Sequence, residues 1–183
     1  MILYIEEFYK IILGCFLLLI IFAFIMFEEG VFVYMKLYTI GASRKSAVDF
    51  FQTLKQHGIK RVIDVRLNNS SQLSGFTKGP DLKFFLREIC NIDYEHDNNL
   101  SPPQDIMVKY KNKDITWNEY RDMFAKMLAD RQIAKIFSDK VEGDFSNICF
   151  LCSESRPNYC HRKIVAEYIQ QQNPEMDIEV VHL

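Results

Sequence analysis

The stretch Ile148-Cys149-Phe150-Leu151-Cys152 runs into the polar segment Ser153-Glu154-Ser155-Arg156-Pro157-Asn158-Tyr159 and then into Cys160-His161-Arg162. Thiols, an imidazole, a guanidinium and a carboxylate follow one another there, and few packing demands call for that mixture. The apolar part predicts a buried strand, the polar part a loop, and Cys160-His161-Arg162 the first turn of a helix. Free amides and the dipole at a helix N-terminus favour an anion, and the Arg162 guanidinium adds forked donors. The same surroundings lower a thiol's pKa. Cys152 or Cys160 is therefore a candidate nucleophile, Glu154 a candidate acid or base, and His161 and Arg162 candidate ligand holders. The packing alternative makes both thiols small buried residues and pairs Arg162 with Glu154 or Asp64.

Three familiar chemistries fit poorly. A zinc site from Cys149, Cys152, Cys160 and His161 would need Cys149 and Cys152 on one side. Residues three apart on a strand point to opposite faces, so no metal is expected. A thioredoxin-like Cys-x-x-Cys opens a helix, whereas this one closes a strand. A phosphatase-type loop needs its Arg farther from the nucleophile than Arg156 is from Cys152.

A second constellation lies earlier in the chain. Asp64 interrupts the apolar strand Arg61-Val62-Ile63-Asp64-Val65-Arg66, and a carboxylate in a buried strand needs a partner. Arg66 points to the same face. The two either pair to fix a loop or stand at the mouth of a cleft, with Asp64 as acid or base and Arg66 as anion holder. Gly41-Ala42-Ser43 closes the strand Lys36–Ile40. Gly41 and Ser43 there suit either backbone approach to a ligand or a tight turn, with Ser43 or Ser46 capping the next helix. His96, at the end of another strand, reads as a hydrogen-bonded wall residue, and the loop 68–80 is long enough for a lid or binding loop.

The elements that must position these groups follow from periodicity. A helix is expected at about 46–56 with Ala47, Val48, Phe50, Phe51 and Leu54 inward, and a short one at 81–90 with Leu82, Phe85, Leu86 and Ile89 inward. Residues 97–115 read as loop. Thr116-Trp117-Asn118-Glu119 is a capping box opening a helix that buries Tyr120, Met123, Phe124, Met127 and Leu128. Helices near 132–139 and 160–171 and a last strand at 178–183 complete the pattern. Strands separated by helices predict an α/β domain, a mostly parallel sheet flanked by helices, with ligands beyond the carboxyl ends of the strands.

Tyr38-Thr39-Ile40-Gly41, Val62-Ile63-Asp64-Val65-Arg66, Gly75-Phe76, Ile92-Asp93-Tyr94-Glu95-His96 and Leu151-Cys152-Ser153-Glu154 through Cys160-His161-Arg162 occur in an order that resembles the family called domain of unknown function 488. The resemblance runs from Met35 to the C-terminus. It implies a compact α/β domain with these polar motifs in one pocket, and it supplies no established reaction. The family reads Gly-His-Ser where this chain has Gly41-Ala42-Ser43, so that imidazole has no counterpart here. Cys149 is not part of the family pattern.

The chain divides at the sequence level into a hydrophobic segment, 1–34, and the α/β domain, 35–183. Residues 11–27 carry no charge and reach about 26 Å as a helix, the short end of a membrane span. Glu6 and Glu7 in place of a basic region argue against a signal peptide. The segment is either a single anchor, with Lys36, Arg44 and Lys45 keeping the domain in the cytoplasm, or the product of a start codon assigned upstream of Met35. The net charge of −2 gives no general pull toward nucleic acid, and the clustered cysteines suit reduced thiols. The expectation is a cytoplasmic protein that uses no cofactor. It acts as an enzyme on a phosphorylated or nucleotide-like small anion, or as a non-catalytic ligand- or partner-binding module, tethered to a membrane if the anchor is real. Oligomeric state is not legible.

Overall fold

Ile148–Cys152, in which all five side chains are buried, is the central strand of a five-stranded parallel sheet. The computed structural model describes residues 33–70, 75–141 and 147–183. In chain order the strands are β1 (Val33–Gly41), β2 (Arg61–Asp64), β3 (Asp93–His96), β4 (Ile148–Cys152) and β5 (Met176–His182), and in space they run β3-β2-β4-β1-β5. Gly41 lies opposite Cys152, Asp64 opposite Leu151, and Asp64 again opposite His96 on its other side. The register therefore brings the carboxyl ends of β1, β2, β3 and β4 level. β5 runs the same way, since the Lys36–Glu179 ion pair and the bond from the Leu183 amide to the Thr39 carbonyl advance together.

Six α-helices lie among the described residues: α1 (Ala47–Gln56), α2 (Gly79–Cys90), α3 (Gln104–Lys111), α4 (Trp117–Asp130), α5 (Ile133–Val141) and α6 (His161–Gln172). Parallel crossovers are right-handed. The steps β1→β2→β3 move toward one edge and the steps β3→β4→β5 move back, so α1 and α2 cover one face and α3 to α6 the other. The core agrees. Phe50, Leu54, Leu82 and Leu86 pack with Val62, Cys149 and Leu151, whereas Phe124, Leu128, Val165 and Ile169 pack with Ile63, Phe150 and Cys152. Each fully buried Phe or Leu in these layers contributes about 1.5–3 kcal/mol by leaving water. The chain reverses face on either side of β4, the place where ligands settle in open parallel sheets.

Local signals do what their chemistry dictates. Ser46 caps α1 by accepting from the Asp49 amide, and Thr116 and Glu119 form the reciprocal capping box of α4. Several expectations need correction. Residues 97–115 are not all loop, because α3 occupies Gln104–Lys111 with Ile106 as its one buried residue. Val48, Ile89 and Met123 are exposed rather than inward, because each lies at the margin of its helix's apolar stripe. Among the described residues no helix is long and apolar enough to cross a membrane, and the apolar run 11–27 lies outside them.

Candidate functional site

Cys152 is the last residue of β4 and lies on the α3–α6 side of the sheet. The Cys160 sulfur lies within 4.8 Å of its own, and the Cys160 thiol, the Glu154 and Ser153 amides and the Arg162 charge all favour its thiolate. The Cys160 hydrogen bond is the largest of these effects. Together they outweigh burial and hold the Cys152 thiol below the ordinary thiol range. Cys160 is pushed the opposite way by its bond to Cys152 and by burial, so it keeps its proton and serves as donor. Cys149, on the other face of the same strand, has its thiol pKa pushed up by burial in apolar surroundings.

The loop carrying these donors is fixed from behind by Arg162. This side chain is fully buried, yet it meets no carboxylate among the described residues. Nη1 donates to the Glu154 carbonyl and, at 3.4 Å, to the Cys160 sulfur; Nη2 lies 3.4 Å from the Ser155 carbonyl, and Nε has no partner. The packing alternative of an Arg162 pair with Glu154 or Asp64 is therefore replaced by a guanidinium that grips the backbone of the 153–155 turn. β1 braces the same turn. The Ala42 and Ser43 amides donate to the Cys152 and Ser153 carbonyls, and the Ser43 hydroxyl also donates to Ser153. A Cβ at Gly41 would stand 1.9 Å from the Glu154 carbonyl oxygen, so only glycine lets the turn cross the end of β1.

His161, the first residue of α6, lies 3.7 and 3.8 Å from the Cys152 sulfur through its two ring nitrogens. Its Nε2 lies 2.9 Å from the Val65 carbonyl, which also accepts from the Ser101 hydroxyl. His96 is held in the same manner, with Nε2 donating to the Arg66 carbonyl at 2.7 Å. Two imidazoles are thus fixed by the backbone just beyond β2, and of the two only His161 reaches the Cys152 sulfur.

Asp64 and Arg66 form a bidentate pair. Nε and Nη2 of Arg66 reach the two carboxylate oxygens at 2.8 and 2.5 Å, and Tyr94 donates a further bond at 2.7 Å. Asn69 completes the chain by donating to the Tyr94 oxygen, while the Thr77 carbonyl accepts from Arg66. Fully buried, with both oxygens engaged by Arg66 and Tyr94, Asp64 holds Arg66 in place and through it Thr77. Burial and the neighbouring Asp64 carboxylate push the Tyr94 phenol well up. Burial pulls the Arg66 guanidinium down, and its bond to Asp64 more than offsets this.

A cleft of about 400 Å³ opens over these groups. Its lining includes Cys152, Ser153, Glu154, His161, Arg66 and Asn68 on the sheet side. The opposite wall is α3, through Gln104, Met107, Val108 and Lys111. Sequence reasoning missed that wall, although the spacing 104, 107, 108, 111 is one face of a helix. Of the residues singled out from sequence, Cys152, Glu154, Arg66 and His161 line the cleft. Cys160 and Arg162 lie behind the sulfur, Gly41 and Ser43 brace the turn, and Asp64 sits beneath Arg66. Cys152, Cys160 and His161 also present three donor atoms within 4.8 Å of one another, a set suited to a soft metal ion.

A family model described as domain of unknown function DUF488 matches residues 46–169. The chain belongs to this family. The matched span of the DUF488 domain contains the Asp64–Arg66 pair, His96, the whole Cys152–Arg162 turn and the α3 wall. The bracing residues Gly41 and Ser43 precede it. No curated protein and no solved structure matches the chain.

Proposed function

We propose that this DUF488 domain is a thiol-dependent enzyme in which Cys152 is the nucleophile acting on a small anionic substrate held in the cleft. The observation that carries the reading is the convergence on one sulfur. Cys152 lines the cleft, the His161 ring nitrogens lie 3.7 and 3.8 Å from its sulfur, the Cys160 sulfur lies within 4.8 Å, and the neighbouring Cys160, the 153–154 amides and the Arg162 charge lower its pKa. Such a set stabilises a thiolate and gives it no packing advantage over a neutral thiol. His161 supplies an imidazole in contact with the same atom. Lys111 and Arg66 line the cleft and supply positive character for a phosphate or carboxylate group, and Glu154 is exposed at the rim for proton transfer.

The test is alkylation of the full chain by limiting iodoacetamide from pH 5 to 9, followed by peptide mapping. Cys152 should react at a midpoint below the ordinary thiol value of about 8.5, and inorganic phosphate or adenosine monophosphate should slow it. A Cys152 that stays inert until the chain is unfolded overturns the reading. Protection by the anion without turnover of any phosphorylated or carboxylated substrate favours a binding module instead.

A second reading rests on the three donors within 4.8 Å. A His ligand that gives its other ring N–H to a backbone carbonyl is the usual arrangement at a metal, and His161 does so to Val65. Retention of zinc or copper in native mass spectra, with loss of alkylation on loading, would favour this reading over the nucleophile.

A further inference from the structure

Cys152 and Cys160 differ in one respect that their burial conceals. Cys152 lines the cleft, whereas Cys160 is absent from its wall and lies behind the first sulfur, the two sulfurs within 4.8 Å of each other. Both residues are at most 2 % exposed, so Cys160 meets a cleft reagent only by way of Cys152. Cys149 faces the opposite layer and Cys90 ends α2, so no other described thiol shares the site.

We infer that Cys160 is a resolving thiol, and that the site reduces hydroperoxides through a Cys152–Cys160 disulfide. The inference rests on the reading of Cys152 as the reacting sulfur. In the first step the Cys152 thiolate attacks the distal oxygen of a hydroperoxide. The O–O bond breaks, a sulfenic acid forms on Cys152, and the departing alkoxide takes a proton to leave as the alcohol. In the second step the Cys160 sulfur attacks the Cys152 sulfur, the S–S bond forms and the S–O bond breaks. Hydroxide leaves with the Cys160 proton as water. Two thiols have given up two electrons and the peroxide has taken them. A low-molecular-weight thiol restores the pair by exchange.

Three features favour the second step. Arg162 Nη1, 3.4 Å from the Cys160 sulfur, stabilises the thiolate that Cys160 becomes as it transfers its proton. The two sulfurs and a His161 nitrogen lie within 4.8 Å of one another, so the attack needs only a local movement of the 153–160 turn. His161 is placed to carry the proton between sulfur and departing oxygen.

The experiment treats the full chain with one molar equivalent of tert-butyl hydroperoxide, blocks free thiols with N-ethylmaleimide and maps peptides without reduction. The expected product is a peptide pair joined between Cys152 and Cys160, reversed by glutathione. In Cys160→Ser, dimedone should capture Cys152 as the sulfenic acid; in Cys152→Ser, Cys160 should stay reduced at the same dose. The wild-type cross-link needs neither variant to fold. A wild-type sulfenic acid that persists beside free Cys160, or cross-links to Cys90 or Cys149, overturns the inference. Iodoacetamide separates the two claims. Reactive Cys152 without the disulfide retires the resolving role alone, whereas an inert Cys152 retires both.

Discussion

His161 donates its Nε2–H to the Val65 carbonyl across 2.9 Å, because a carbonyl can only accept. In a neutral ring so bound, the lone pair lies on Nδ1, 3.8 Å from the Cys152 sulfur, where it can take the thiol proton. His161→Gln retains an amide donor near Val65 and removes the base. Its stability should stay within about 1 kcal/mol of the parent in urea unfolding. Any turnover that uses His161 as base should fall by about 10²–10⁴-fold. Unchanged turnover would remove the imidazole from the chemistry.

The Cys160 hydrogen bond is the largest effect lowering the Cys152 thiol. Cys160→Ala removes that donor, so the alkylation midpoint of Cys152 should move toward higher pH. Cys149→Ala, on the other face of the strand, should leave the midpoint in place. Iodoacetamide rate profiles of the two variants measure both.

Gly41→Ala puts a methyl where the Glu154 carbonyl already sits. The turn must shift, at a cost of about 1–3 kcal/mol or more. The Ser153 and Glu154 amides should shift with it. Urea unfolding should show the lost stability, and slower alkylation at neutral pH should show that the sulfur has lost its donors. A destabilised variant with normal alkylation would separate the brace from the site.

Tyr94 donates to Asp64 and is half-buried, and burial with the Asp64 charge raises its phenol pKa above the unfolded value. A raised pKa means that its contribution is fully present below the unfolded value of about 10 and is lost as pH rises beyond it. Tyr94→Phe should cost about 1–3 kcal/mol at neutral pH by stripping a donor from a buried carboxylate. The alkaline loss of stability should become shallower, since one of the phenols responsible is gone. Thermal unfolding between pH 7 and 11 tests both effects.

Asp64→Asn leaves Arg66 buried without its counter-charge, and breaking one side of a buried pair costs about 3–5 kcal/mol. The loss should appear as global destabilisation, because Asp64 holds Arg66 and Tyr94 together and, through Arg66, Thr77. A stable variant with altered cleft chemistry would return Asp64 to an acid–base role.

Much of this was legible before any coordinates. Alternating strands and helices, the Thr116 cap and the buried run ending at Cys152 carry their own local signals, and they gave the α/β class and the level at which the site lies. The strand order was not legible, because the insertion of β4 between β1 and β2 depends on pairing between distant segments. α3 was missed because a single buried isoleucine leaves a weak apolar stripe, and its cleft-facing side mixes Met107 and Val108 with Gln104 and Lys111. The roles of Asp64 and Arg162 turn on distances that spacing cannot supply. Asp64 was read as a buried charge in need of a partner and found an arginine two residues on, whereas Arg162 was read as an anion holder, with a carboxylate pair as the packing alternative, and found carbonyls.

The position of β4 also sets when the site can exist. β1 and β2 are made early, yet they do not pair with each other and wait for a strand that leaves the ribosome more than 80 residues after β2. Until Ile148–Cys152 inserts, both present open edges, and neither the Gly41 crossing nor the His161–Val65 bond can form. Long-range pairing of this kind is slow and exposes strand edges to neighbours. The surroundings of the Cys152 sulfur are therefore assembled by the same event that closes the sheet, and a nascent or truncated chain lacking β4 has no such cleft.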